Sequence, residues 1–326
     1  MNKLIEFFWA NDIIGSFLGV ILSTALISAV YERRKAGKMH PYSQIVLVLA
    51  INDFFFCFVE CCLQHILAFG HYKMFVTAHG VEHYLLSDTY YPITFIIHMF
   101  FLMNTITFLP AVYSYRYEFI KNANGTYQWK HLLSRISISL VFSLCCAASG
   151  GLAVHRSLQN SREFYLELIP EVWISNNKTY FVYAVDVENV QGISWMAFTC
   201  TESTIAMVCT LYYALKTYKV MKEMNINVTA KTKSMQTEFT KSLISQTLVV
   251  LFMANTPASA VFFCIIFGYT SNYVGTLILW PFSWVSACAS LLTFYFIKDY
   301  RCWIYEKVGY RKDVVEAYSV STSHVR

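Results

Sequence analysis

At 326 residues the chain is 56% hydrophobic and only 14% charged, whereas a soluble domain carries about a quarter charged residues. This composition leaves too little polar surface for a water-soluble globule and points to one integral membrane domain over residues 1–326. The net charge of +5 comes from short segments between apolar runs, an arrangement that suits anionic lipid and partner surfaces and gives no sign of nucleic-acid readout.

Seven stretches supply the run of about 20 apolar residues that a membrane-crossing helix needs: 12–31, 42–68, 89–114, 132–154, 192–215, 242–267 and 273–297. They are too long and too continuously apolar for barrel strands, so an all-α, seven-transmembrane helix bundle is predicted. With the N-terminus outside and the C-terminus inside, nineteen lysines and arginines fall in inner loops and the tail from residue 298, and five fall in outer segments. No cleavable leader precedes the first span, which is expected to act as the targeting signal.

Ionisable groups inside spans cost roughly 2.5–3.5 kcal/mol on insertion scales and face the bundle interior. The second span offers Asp53 and Glu60, seven residues apart and therefore on one helical face. The third offers His98 and Asn104, the fifth Glu202 and the sixth Asn255. Interhelical hydrogen bonding and ligand contact explain such residues equally well. Pro257 and Pro281 interrupt the sixth and seventh spans and are candidate hinges. Trp280 and Trp284 flank Pro281 with ring area suited to an apolar ligand, or to ordinary packing.

The loops add less. "HGVEH" (79–83) matches a zinc-protease pattern formally, but no third ligand accompanies it, so it reads as a polar outer loop with neither metal nor cofactor. Asn177 opens a sequon in the long outer loop and is a glycosylation candidate. The sequons at Asn124 and Asn227 fall in inner loops, where they stay bare. The ten cysteines lie almost wholly within apolar runs, leaving the outer loops without a disulfide. Cys302, beside Lys298 and Arg301, is a palmitoylation candidate. Residues 297–312 interleave aromatic and basic side chains, as a short amphipathic helix on the membrane surface does.

Several of these segments together resemble the nematode seven-transmembrane chemoreceptors of the Str superfamily. "PYSQIVLVLAINDFFFCFVE" is similar to that family's second span. "VYSYRY" resembles the end of its third span, where Tyr-Arg-Tyr stands in place of Asp-Arg-Tyr. "TKSMQTEFTKSLISQTL" (232–248) resembles the entry to the sixth, through Gln236, Phe239, Lys241 and Gln246-Thr247-Leu248. Pro257 and "FIKDYR" (296–301) fit the later frame. Val250 and Ala289-Ser290 depart from it, where the family carries a second proline and an Asp-Pro pair. The resemblance implies a G-protein-coupled chemoreceptor on sensory cilia, with a small odorant or pheromone as ligand. Its partners would be a heterotrimeric G protein, membrane lipids and, where receptors associate, a receptor oligomer. The expected ligand residues are Glu60, His98, Asn104, Glu202, Asn255, Trp280 and Trp284, in a pocket among the outer halves of the third, fifth, sixth and seventh spans. Tyr115, Arg116, Tyr117, Lys241, Lys298 and Arg301 would contact the G protein. No catalytic constellation appears. A seven-span ligand-gated channel is the rival reading; it places the N-terminus inside, against the charge count. A transporter needs clustered ionisable groups or paired repeats.

Overall fold

A computed structural model describes residues 3–36, 42–78, 80–81, 89–121, 129–169, 174–175, 178–179, 181–224, 230–270 and 274–309. His79, Glu82 and His83 of the "HGVEH" stretch fall outside these residues, as do all three sequon asparagines.

The seven predicted spans are helical, and they form a seven-helix bundle. The first four spans are α1 (Lys3–Lys35), α2 (Ser43–Leu63), α3 (Tyr91–Lys121) and α4 (Trp129–Ser157). At 1.5 Å per residue the longest of them run about 45–50 Å, well beyond an apolar bilayer core. Side chains such as Phe17, Ile138, Val141 and Leu152 stand exposed on their outer faces, as a lipid-facing surface requires.

The second span is shorter than its apolar run predicts. Gln64 adopts the left-handed conformation (φ 51°, ψ 55°) and ends α2. The next six residues become strand β1 (His65–Gly70), which pairs with β2 (Lys73–Ala78). The connecting His71 and Tyr72 both have positive φ (51° and 57°), the twist of a two-residue hairpin turn without its usual glycine. Gly268, at φ 63°, closes the far turn after the sixth span, and the Tyr72 ring occupies the space where a Cβ would project.

After α4 come a short helix α5 (Arg162–Leu166) and a two-stranded ribbon, β3 (Ile174–Ser175) with β4 (Lys178–Thr179). Strand β5 (Phe181–Asp186) then joins the edge of β2, giving a three-stranded antiparallel sheet in the order β1-β2-β5. The sheet is buried on both faces. Phe69, Met74 and Val76 point into the bundle, while Ile66, Ala68 and Phe75 pack under Tyr165 and Ile169. This alternation is the period-two signature of a strand.

The fifth span is α6 (Val190–Met224). It is long enough to cross a membrane, but Thr199, Thr201, Glu202, Ser203 and Thr204 dilute its apolar character. All three threonines find an acceptor within the helix. Thr199, Thr201 and Thr204 each donate to the carbonyl four residues earlier, at 2.7–2.8 Å.

The sixth span runs as α7 (Ala230–Val250), a π-helical turn (Leu251–Asn255) and α8 (Thr256–Ile266). Pro257 has no N–H to continue the α pattern, and the Thr256 N–H reaches back five residues to the Leu251 carbonyl. The seventh is likewise broken, as α9 (Val274–Leu279), a 3₁₀ turn around Pro281 (Trp280–Trp284) and α10 (Val285–Phe296). At Ile297 the backbone extends (ψ 108°), and α11 (Lys298–Val308) leaves in a new direction, in the place predicted for the short amphipathic helix.

Candidate functional site

Below the sheet, the bundle opens into a cavity of about 120 Å³. Its roof is His65, Ile66, Leu67 and Met74 from β1 and β2. Its walls are Phe8 and Asp12 of α1, Glu60 of α2, Phe95, His98, Met99 and Met103 of α3, and Trp195 of α6. Val261 and Phe262 of α8 complete it with Trp280 and Phe282. The lining is mostly aromatic rings, methionines and branched chains, with a few converging polar groups, the usual make-up of a small-molecule site.

Those polar groups form a chain. Glu60 Oε2 lies 2.7 Å from His98 Nε2, and His98 Nδ1 lies 2.7 Å from His65 Nδ1. One ring nitrogen must donate and the other accept across the second contact, so the two imidazoles hold at most one positive charge between them in this geometry. Asp12 stands nearby on α1, within electrostatic reach of Glu60. Its Oδ2 is buried and has no hydrogen-bond partner among the described residues. Two contacts hold α1 in place around it: Trp9 Nε1 donates to Gln64 Oε1 at 2.6 Å, and Cys61 Sγ donates to Ser16 Oγ at 3.2 Å.

An ion cluster fastens the roof. Lys73 Nζ is 2.6 Å from Glu188 and 3.5 Å from Asp186, with its side chain 4% exposed. Burial works to lower the Lys73 pKa. The hydrogen bond that Lys73 donates to Glu188 and the two carboxylate charges outweigh it, so the pKa is raised.

Of the seven expected ligand residues, the cavity gathers Glu60, His98 and Trp280. Asn104 is buried deeper in α3, with its Oδ1 unpartnered among the described residues. Glu202 lies on α6 beside Cys146 of α4. Asn255 ends the π turn, and Trp284 turns toward α1, where its Nε1 donates to Asn11 Oδ1 at 3.0 Å. None of these four lines the cavity. The sequence reading also omitted Asp12, His65 and Trp195, and with them the contributions of the first span and the sheet. Asp12 had a signal: it stands before a run, residues 13–31, with no other charge.

At the opposite end of the bundle, Arg116 is 1% exposed. Its Nη2 donates to Thr240 Oγ1 and, at 3.4 Å, to the Gln236 carbonyl, and it lies 3.6 Å from Met221 Sδ. The guanidinium lies 5.2 Å from the Phe239 ring centroid and 5.8 Å from that of Tyr42, rings that stack on each other at 4.2 Å. Of its neighbours, the Tyr115 hydroxyl donates to Gln44 and Tyr117 packs on Tyr213 under Lys216. Lys241 is exposed on α7.

The Gln246-Thr247 pair ties the broken spans together. Gln246 Nε2 donates to Thr293 Oγ1, and the Thr247 hydroxyl pairs with that of Tyr113 at 3.0 Å. Glu238 of α7 accepts the Lys298 backbone N–H at 3.1 Å, placing a carboxylate at the N-terminus of α11. Arg301 donates to the Tyr295 carbonyl at 2.8 Å. Cys302 is a half-buried free thiol.

The sequence profile of the family described as "Serpentine type 7TM GPCR chemoreceptor Str" matches residues 10–305. The chain belongs to that family. Among solved structures, squid rhodopsin is similar over the whole chain and 93% of its own length, with a TM-score of 0.65 at 11% identity. That likeness concerns the fold. A comparison with curated proteins gives no significant match. The protein is thus a G-protein-coupled receptor of the chemoreceptor type and a multi-pass membrane protein.

Proposed function

We propose that this receptor detects a small environmental or pheromone molecule in the cavity beneath the sheet and activates a heterotrimeric G protein at the Arg116 end. The observation that carries the reading is the pairing of a lined, mostly apolar cavity at one end with a latched, basic end at the other, joined by spans broken at Pro257 and Pro281. The sheet end faces outward and the Arg116 end faces the cytoplasm, as the excess of lysine and arginine at that end favours. We place it in the ciliary membrane of a sensory cell, which is what a chemoreceptor role implies.

The mechanism follows from the geometry. A ligand that binds one arrangement of the sixth and seventh spans better than the other shifts their equilibrium, and by no more than its difference in affinity. Movement of α7 about the π turn withdraws Thr240 and Phe239 from Arg116. The freed guanidinium, with Tyr115, Tyr117, Lys241, Lys298 and Arg301 around it, then meets the G protein.

The test is ligand-driven nucleotide exchange by purified receptor and G protein, with Arg116→Ala as the internal control. Loss of exchange with surface expression and ligand binding intact is expected. Normal exchange by Arg116→Ala would remove that residue from the mechanism, and failure of every ligand to drive exchange would remove the receptor reading.

A further inference from the structure

Acidic groups outnumber cationic ones in the cavity. Two carboxylates, Asp12 and Glu60, line it, and no lysine or arginine does. The two histidines supply at most one positive charge, because the 2.7 Å contact between their Nδ1 atoms admits one proton and not two. That charge is spent on Glu60, which His98 touches through its other nitrogen. The Asp12 carboxyl has the Ser283 hydroxyl as its side-chain partner, and its Oδ2 is buried with no hydrogen-bond partner among the described residues. A buried carboxyl with one hydroxyl partner and an open oxygen is costly, and an ionised one more so. The same lining includes Phe8, Trp280 and Phe282, whose rings are of the kind that attract cations. Met99, Met103, Phe95 and Phe262 add apolar surface to the lining.

We infer that the ligand of this cavity is a small organic amine, bound as its ammonium ion with the N–H groups on Asp12 and its apolar part among the methionines and rings of α3 and α8. This rests on the receptor reading above and names the chemical class that the same site takes. Glu60 stays paired with the His98–His65 chain and adds negative potential across the cavity. Its 120 Å³ is close to the ~150 Å³ that admits benzene, which limits the ligand to about six heavy atoms. An ammonium satisfies the open Oδ2 and answers the charge that Asp12 carries when ionised. A carboxylic acid would add a third anion, and an alcohol would leave the charge unanswered.

The experiment uses the full-length receptor in lipid nanodiscs and four probes of matched shape: isopentylamine, isopentyl alcohol, isohexane and isovalerate. Binding is read by calorimetry or thermal shift, and nucleotide exchange on a G protein is read separately. The amine is expected to bind at least about tenfold more tightly than the alcohol, and Asp12→Asn to weaken it about 10- to 100-fold, the worth of a charge-assisted hydrogen bond. The alcohol is expected to bind the Asp12→Asn receptor as well as it binds the unmodified one. If that variant does not fold, the probe series on the unmodified receptor decides alone. Equal or tighter binding of the alcohol, hydrocarbon or acid overturns the assignment. So does an absence of amine binding, or amine binding unchanged in folded Asp12→Asn. Amine binding that depends on Asp12 but drives no exchange would overturn the signalling reading and leave the site standing. Exchange driven by a non-amine, with no amine bound, would do the reverse.

Discussion

A guanidinium as deeply buried as that of Arg116 needs its charge answered. Here the answer comes from the Thr240 and Tyr42 hydroxyls, a carbonyl, a thioether and two aromatic rings, with no carboxylate paired to it among the described residues. Each cation–π contact is worth about 0.5–2 kcal/mol and a hydrogen bond from a charged donor about 1.5–3 kcal/mol. Together they hold α3 to α7 more weakly than a buried ion pair would, which suits a contact that must open. Thr240→Val removes the acceptor and keeps the shape. Ligand-independent nucleotide exchange should therefore rise several-fold, with agonist affinity rising in parallel. Exchange at the unmodified level would show that the Thr240 bond is packing rather than a latch. The position of Arg116 near the end of a span was legible in the sequence. Its partners were not, because Tyr42 and Thr240 lie far away in the chain and nothing local marks them as neighbours of an arginine.

Hydropathy is a local property, and the spans were accordingly legible to within a few residues at most ends. The sheet was hidden for the same reason. "HILAFG" (65–70) is apolar enough to read as two more turns of the second span, and it becomes a strand only because β2 and the distant β5 supply its ladder. With the sheet went His65 and the roof of the cavity, so the site was expected among four spans when six spans and a hairpin build it. The roof rests on Lys73. Lys73→Met leaves the buried Asp186 without its cation. Because Glu188 is largely open to solvent, the cost should be about 2–3 kcal/mol, below the 3–5 of a fully buried pair. A lower unfolding temperature and faster amide exchange in β2 and β5 would register it. Since the Lys73 pKa is raised on folding, this contribution is complete below the ordinary lysine value. It is lost only as pH climbs through the higher folded value, so the roof's stability should be flat through neutral pH. The sixth span carries the other element-scale prediction. Pro257→Ala restores a backbone donor and allows the π turn to relax into α-helix, a gain of about 1 kcal/mol. The variant should melt at a higher temperature and respond less to agonist. An unchanged response would mean that the bend is not where the sixth span moves.

Across the whole molecule, the placement of charge favours one orientation. Nineteen lysines and arginines belong to the loops and tail at the Arg116 end and five to the sheet end, an asymmetry that the translocation machinery reads as cytoplasmic against exterior. The same orientation puts the cavity and its roof where an external molecule can reach them, and puts α11, with its ion pairs from Glu306 and Lys307 to Arg33 and Glu32 of α1, on the cytoplasmic surface. Glycosylation provides a test that is independent of ligand and G protein. The sequon at Asn177 precedes β5 on the sheet side, while those at Asn124 and Asn227 lie in the α3–α4 and α6–α7 connections at the other end. Only a sequon that enters the lumen is modified. Receptor expressed in eukaryotic cells should therefore show a single glycosidase-sensitive shift that Asn177→Gln abolishes, and Asn124→Gln and Asn227→Gln should leave it untouched. Modification at Asn124 or Asn227 would invert the bundle. It would also turn the cavity toward the cytoplasm, ending the case for a chemoreceptor of external molecules while leaving the fold as it stands.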